Sequence, residues 1–246
     1  MSEKFKVRLY ADSLGLPRIG KVTVNERYIE LLLRYWEEHH AEGVSCLDRA
    51  RCNYTIVDLY SWFSEDNKYF GKEGDVMILQ EGVVDCAPRP LPRKIRTVIS
   101  KSPRLLRRII VKFIHKNRAT LQNYGFKFTL TKPDDFYLHY FNWLNEIKEV
   151  FNRIYIINIA PTNENIEKHS PGFTENVSKY NKLIAKAIAN VNSDKIKLID
   201  IHSLILNSEH SLDDLILPED GHHITALGHS LYANKIIELE HNFELP

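Results

Sequence analysis

Short apolar runs alternate with stretches of helical spacing along the chain. Residues 6–10 (KVRLY), 43–47 (GVSCL), 75–80 (DVMILQ), 153–160 (RIYIINIA) and 195–201 (KIKLIDI) read as five strands. The third is apolar enough to be covered on both faces. Residues 26–40 (ERYIELLLRYWEEHH) place apolar residues at helical spacing and read as a helix, and 55–63 read as a short helix. Residues 133–151 open on Pro-Asp-Asp and read as a long helix. Residues 174–192 follow with Thr174 as N-cap, and 225–240 form the last helix. Parallel strands need crossovers, and helices supply them. The alternation therefore predicts an α/β protein: an open parallel sheet with helices on both faces. Sites in such sheets form at the carboxyl ends of the strands.

Composition changes the picture at one place. The chain has 246 residues, 33 Lys or Arg and 32 Asp or Glu, a net charge of +1. With 43% apolar residues it has enough for a core, and disorder is excluded as a reading of the whole. The near-neutral total hides an asymmetry. Residues 86–133 hold 13 Lys or Arg and no acid, and the rest carries −12. This segment lies in an unusually long interval between strands three and four. The expected organisation is one domain over 1–246 with a basic helical insertion at about 86–133. Within it, 102–118 (SPRLLRRIIVKFIHKNR) form a basic helix with a stripe of Leu105, Leu106, Ile109, Ile110, Phe113 and Ile114. Docking of the stripe on the core is the favoured reading. Peripheral contact with an anionic membrane through 102–118 is the other. An anionic substrate would also account for the charge. Nucleic acid is disfavoured, because no binding module or stacking platform is visible.

Other classes fall away. No run approaches the ~18 apolar residues of a membrane span. Residues 1–10 are charged and unlike a secretory signal. Cys46, Cys52 and Cys86 show no paired metal spacing, so a reduced, cytoplasmic setting is expected. No phosphate-binding glycine loop or zinc-protease motif occurs.

Two loops carry candidate chemistry. Ser13 stands just after the first strand, in Ala11-Asp12-Ser13-Leu14-Gly15. Asp220 and His223 stand three apart just before the last helix. A carboxylate at that spacing can orient an imidazole, whose other nitrogen can take a proton from a serine. A plain turn at Ser13 and a polar turn capping the last helix are the structural alternatives. Asn158 and Thr162 stand where they could line a pocket, with sheet-end hydrogen bonding as the alternative. His222 and His229 flank the site and could shape it. His202 follows strand five without an obvious partner.

These blocks resemble the SGNH (GDSL-type) hydrolases. Ala11-Asp12-Ser13-Leu14 resembles that family's first block, and Asp220-Gly221-His222-His223 its last. The middle blocks are degraded: Asn53 stands where a glycine is usual, and Gly82-Val83-Val84-Asp85 where Gly-x-Asn-Asp is usual. The resemblance implies a three-layer α/β/α sandwich with a parallel five-stranded sheet. It implies a serine-dependent esterase or deacylase acting on an acylated carbohydrate or related small-molecule or glycan ester. Ser13 would be the nucleophile, His223 the base and Asp220 the orienting acid. Asn53 and Gly82 would belong to the oxyanion region, with Asp85 and Arg89 nearby. Asn53 can replace glycine because asparagine tolerates left-handed backbone, whereas Val84 cannot replace an amide donor. Asp85 also reads as a loop-fixing carboxylate. Arg89 suits a substrate oxyanion, with a structural ion pair as the alternative. No metal and no cofactor are implied. The rivals are O-acyl transfer to a sugar, and a catalytically weakened binding protein that uses its basic segment on an anionic membrane or polymer.

Overall fold

The computed structural model describes residues 3–244, with side chains through residue 241. The chain runs through β1 (Phe5–Ala11), α1 (Tyr28–His39), β2 (Val44–Ala50), α2 (Ile56–Phe70), β3 (Gly74–Gln80), α3 (Val83–Cys86), α4 (Arg93–Ser100), α5 (Arg104–Lys116) and α6 (Arg118–Asn123). It continues through α7 (Pro133–Ile147), β4 (Phe151–Ile157), α8 (Glu164–His169), α9 (Phe173–Val191), β5 (Ile196–Ile199), α10 (Ile201–Leu206), α11 (Leu212–Leu215) and α12 (Ala226–Glu244).

All five strands are parallel, in the order β2-β1-β3-β4-β5. Right-handed crossovers with that order send the chain outward from β1 in both directions. α1 and α12 pack together on one face, and α2, α7 and α9 form the opposite layer. The result is a three-layer α/β/α sandwich, as the sequence predicts. Val76, Met77, Ile78 and Leu79 of β3 are fully buried, which the unbroken apolar run requires of a central parallel strand. Strand order reverses between β1 and β3, so a crevice opens at their carboxyl ends.

Several boundaries differ from the sequence reading. The helix over 55–63 runs on to Phe70, the strand over 43–47 runs on to Ala50, and the strand over 153–160 ends at Ile157. The helix over 133–151 ends at Ile147, because Phe151 already pairs with Gly74 in the sheet. The strand over 195–201 ends at Ile199: Asp200 caps α10 by accepting from the Ser203 N–H. Thr174 is not the N-cap of α9. Gly172 is, at φ 88°, and the Glu167 carboxylate takes the Gly172 and Thr174 N–H groups.

The basic stripe also departs from expectation. It does not dock on the core. Leu105, Ile109 and Phe113 are 77%, 63% and 62% exposed, and no residue of α4 or α5 is buried. The two ends of the excursion are paired at the body's edge. There the Arg89 N–H donates to the Phe128 carbonyl (2.6 Å), and the Phe128 N–H donates back (2.9 Å). Arg118 and Gln122 side chains donate to the Pro88 carbonyl beside it. Beyond this neck α4 and α5 touch each other, α6 packs on α8 with Gln122 fully buried, and α5 lacks a surface to cover its stripe.

Ser13–Gly15 form a single 3-10 turn immediately after β1. The turn lies flat on the sheet end because residue 15 has no side chain. A Cβ there would stand 2.8 Å from Ala11 Cβ and 3.3 Å from Gln80 Oε1. Gly15→Ala is therefore expected to cost about 1–3 kcal/mol by overpacking, read as a lower urea midpoint at unchanged m-value.

Candidate active site

Ser13 and His223 are 210 residues apart in sequence, and the fold brings them to one hydrogen bond. Ser13 Oγ lies 3.1 Å from His223 Nε2, and His223 Nδ1 lies 2.8 Å from Asp220 Oδ2. The Asp220 carboxylate also accepts from the backbone N–H of His223 (3.0 Å). One acid thus fixes both the ring and the chain of its histidine. Burial opposes the ionised form of Asp220. Those two hydrogen bonds and the charge of His223 outweigh it and hold the carboxyl well below its usual range. His223 is shifted down, first by burial, with Asp220 opposing and Arg18 adding to it. A histidine neutral at pH 7, with one nitrogen tied to a carboxylate and the other facing a hydroxyl, is arranged to accept the serine proton.

The loop that carries the pair is locked from outside. Gly221 has φ +74°, and a Cβ there would stand 2.2 Å from Asn163 Oδ1 and 2.7 Å from the Ile166 nitrogen. Its carbonyl accepts from the Asn163 N–H (2.9 Å). The His222 ring packs on the His223 ring at 3.9 Å, and burial, then repulsion from His223, hold it down at about 4. His229 is buried behind α1, where Nδ1 accepts from the Tyr28 N–H.

The floor is built at the ends of β1 and β3. The Asp12 N–H donates to the Gln80 carbonyl, and its buried carboxylate accepts from Leu14 N–H (2.9 Å) and Val83 N–H (3.2 Å). Burial, with the charge of Asp85 adding, raises Asp12 to about 7. Ser13, Asn53, Val84, Arg89, His222 and His223 line one cleft of about 250 Å³. Asn53 sits at φ 62°, the left-handed backbone that asparagine tolerates.

Gly82 and Asp85 do not line the cleft. Gly82 (φ 128°) turns the chain under it, where a Cβ would press 2.8 Å against Ile159. Asp85 is fully buried, accepting from the Ile56 N–H and the Thr131 hydroxyl. It ties α2 and the returning chain to α3, the loop-fixing role its sequence position also allowed. Asn158 likewise turns to Asp200 and the His202 N–H, and Thr162 to Thr174. Sequence reasoning missed Arg18, Cys52, Arg118, Ile166 and Phe173, which complete the cleft wall. They come from five separate segments and share no local pattern.

Donor atoms of Asp220, His222 and His223 lie within 4.8 Å of one another, close enough for a cation. A cation on Asp220 Oδ2 and His223 Nδ1 would replace the 2.8 Å hydrogen bond between them.

No family model matches the sequence, and no similar curated protein is found. Solved structures do share the fold. A lipase/acylhydrolase from Enterococcus faecalis superposes with a TM-score of 0.61 at 14% identity, over 96% of this chain and 94% of its own. A member of the lipolytic protein G-D-S-L family from Veillonella parvula gives 0.60 at 13%, over 96% and 97%. Axe2, an acetylxylan esterase from Geobacillus stearothermophilus, gives 0.59 at 14%, over 95% and 93%. The fold is that of the SGNH (GDSL-type) hydrolases.

The glycine that locks the histidine loop gives a direct check. Gly43 has a similar φ of +81° but open space around its Cβ position. Gly43→Ala is expected to cost only the backbone strain, about 1 kcal/mol. Gly221→Ala should cost at least ~2 kcal/mol more by denaturant titration, because backbone and side chain must both give way.

Proposed function

We propose that the protein is a serine-dependent esterase or deacylase working through an acyl-enzyme. The observation that carries this reading is the continuous contact Ser13 Oγ–His223 Nε2 and His223 Nδ1–Asp220 Oδ2 at 3.1 and 2.8 Å. With an ester carbonyl over Ser13, His223 takes the hydroxyl proton as Oγ bonds to the carbonyl carbon. The resulting oxyanion collapses, the carbon–alkoxy bond breaks, and His223 gives its proton to the leaving alcohol. Water then repeats the sequence on the acyl-serine and releases the acid. Asp220 stays ionised throughout, which suits its strongly lowered carboxyl. An acylated carbohydrate is the proposed substrate class, supported by the fold shared with an acetylxylan esterase. Transfer to a sugar hydroxyl would share the first half-reaction. The free thiols Cys46, Cys52 and Cys86 support a reducing, cytoplasmic setting, and among the described residues no helix is long and apolar enough to cross a membrane.

Labelling by a fluorophosphonate and hydrolysis of p-nitrophenyl acetate test the reading. Ser13→Ala should abolish labelling, and Ser13→Ala and His223→Ala should each lower turnover by at least ~10³-fold. Turnover that survives Ser13→Ala would end the proposal. kcat/KM should fall with acid through one apparent pKa below the ordinary ~6.5 of histidine, because burial favours the neutral base that the reaction needs.

Val84 fills the cleft wall with an isopropyl group where the resemblance expects an amide. One missing preorganised donor costs on the order of 10²–10³ in rate. Val84→Asn, similar in volume, should therefore raise kcat by roughly 10-fold or more. An unchanged kcat would mean that other groups already complete the oxyanion site.

A further inference from the structure

Beside the catalytic cleft lies a second cavity of about 300 Å³ between the neck and helices α4 and α5. Four guanidinium groups line it: Arg89, Arg96, Arg107 and Arg118. Arg89 and Arg118 also line the catalytic cleft, so they form a shared wall. No carboxylate lines either cavity, and none of the four arginines makes an ion pair among the described residues. The Nε atoms of Arg89 and Arg118 are buried without a hydrogen-bond partner. Arg118 is aimed by its Nη2, which donates to Ser170 Oγ and the Pro88 carbonyl, both at 2.8 Å. Burial, then repulsion from Arg118 and Arg96, pushes Arg89 down to about 10.

Arg89 and Arg118 are partly buried, and Arg96 and Arg107 are exposed. Like charges gathered around partly buried ones destabilise one another unless an anion joins them. Guanidinium forks match the oxygens of a phosphate in paired hydrogen bonds. Four of them exceed what one carboxylate can neutralise. We propose that this cavity is a phosphate-class subsite, holding a phosphoryl or pyrophosphoryl group carried by the ester whose acyl carbon reaches Ser13. This deepens the esterase reading and rests on it. The substrate is an acylated phosphoester, with its anionic end held by the arginine wall and its ester in the cleft. The anion has two possible sources, a soluble sugar phosphate or a phospholipid headgroup, and the surface apolar residues of α5 stand on the same helix as Arg107.

The test measures binding apart from catalysis. Pyrophosphate is titrated calorimetrically into the full chain and into Ser13→Ala, at low salt. Arg96→Gln/Arg107→Gln is compared with Lys94→Gln/Lys112→Gln, which removes the same charge from the same helices outside the cavity. The first pair should weaken binding at least 10-fold in both backgrounds, and the control pair less than 2-fold. Arg118→Lys, which keeps the charge and loses the fork, should weaken it about 5-fold or more. Equal loss in both pairs would reduce the effect to diffuse charge and overturn the subsite, as would absence of pyrophosphate binding. Glucose 1-phosphate is then competed against pyrophosphate, and phosphatidylglycerol vesicles are sedimented beside phosphatidylcholine ones. Competition by the sugar phosphate identifies a soluble source. Phosphatidylglycerol binding lost in Arg96→Gln/Arg107→Gln identifies a headgroup. If the sugar phosphate does not compete and phosphatidylglycerol does not bind, the substrate assignment is overturned. If Ser13 is not a nucleophile, labelling fails while pyrophosphate binding in Ser13→Ala persists, so the two proposals fail separately.

Discussion

One buried carboxylate holds the floor of the cleft together. At the point where β1 and β3 part company, two turns would otherwise end with unpaired N–H groups facing a crevice. Asp12 takes the N–H of Leu14 from one turn and of Val83 from the other, while its own N–H closes on Gln80. Removing water from an acid is costly, which is why burial lifts Asp12 to about 7. The two backbone donors offset part of that cost and in return are themselves satisfied. Everything proposed for Ser13 depends on this tie, because it joins the Ser13 turn to the start of α3.

The histidine loop solves the same problem from the other side. Asp220 binds both ring and backbone of His223, and Gly221 lets the loop press on Asn163 and Ile166. The ring therefore meets Ser13 with little freedom left. Burial keeps His222 and His223 neutral, and Asp220 keeps its charge. Three adjacent titratable groups are thus all held deprotonated near neutral pH, one as an anion and two as neutral rings.

Much of this was legible in the sequence, for a physical reason. Strand and helix periods are local, so the five strands and their order of alternation could be read directly. Ser13 and the Asp220/His223 pair could be read because each depends on a short spacing at an element end. The rest needed the third dimension. Arg118 reaches the cleft only because the neck at Arg89 and Phe128 folds the excursion back. Ile166 and Phe173 arrive from α8 and α9, with nothing local to mark them. Asp85 looked like a site residue by position, yet its carboxylate turns inward to Ile56 and Thr131. The stripe on α5 followed the usual rule for a core-facing helix and failed it, because periodicity reports an apolar face without saying what covers it.

The neck has a consequence for how such a molecule can change. Closing a loop costs free energy that grows only with the logarithm of its length. The part of the excursion beyond the neck's pair of backbone hydrogen bonds and α6, which is α4 and α5, can therefore lengthen, shorten or be replaced while the sheet beneath stays intact. Arg89 is itself half of that pair and also part of the cleft wall. The chain has in effect a socket at the rim of the Ser13 cleft. Whatever is plugged into it redraws the charge around that cleft and leaves Ser13, His223 and Asp220 where they are.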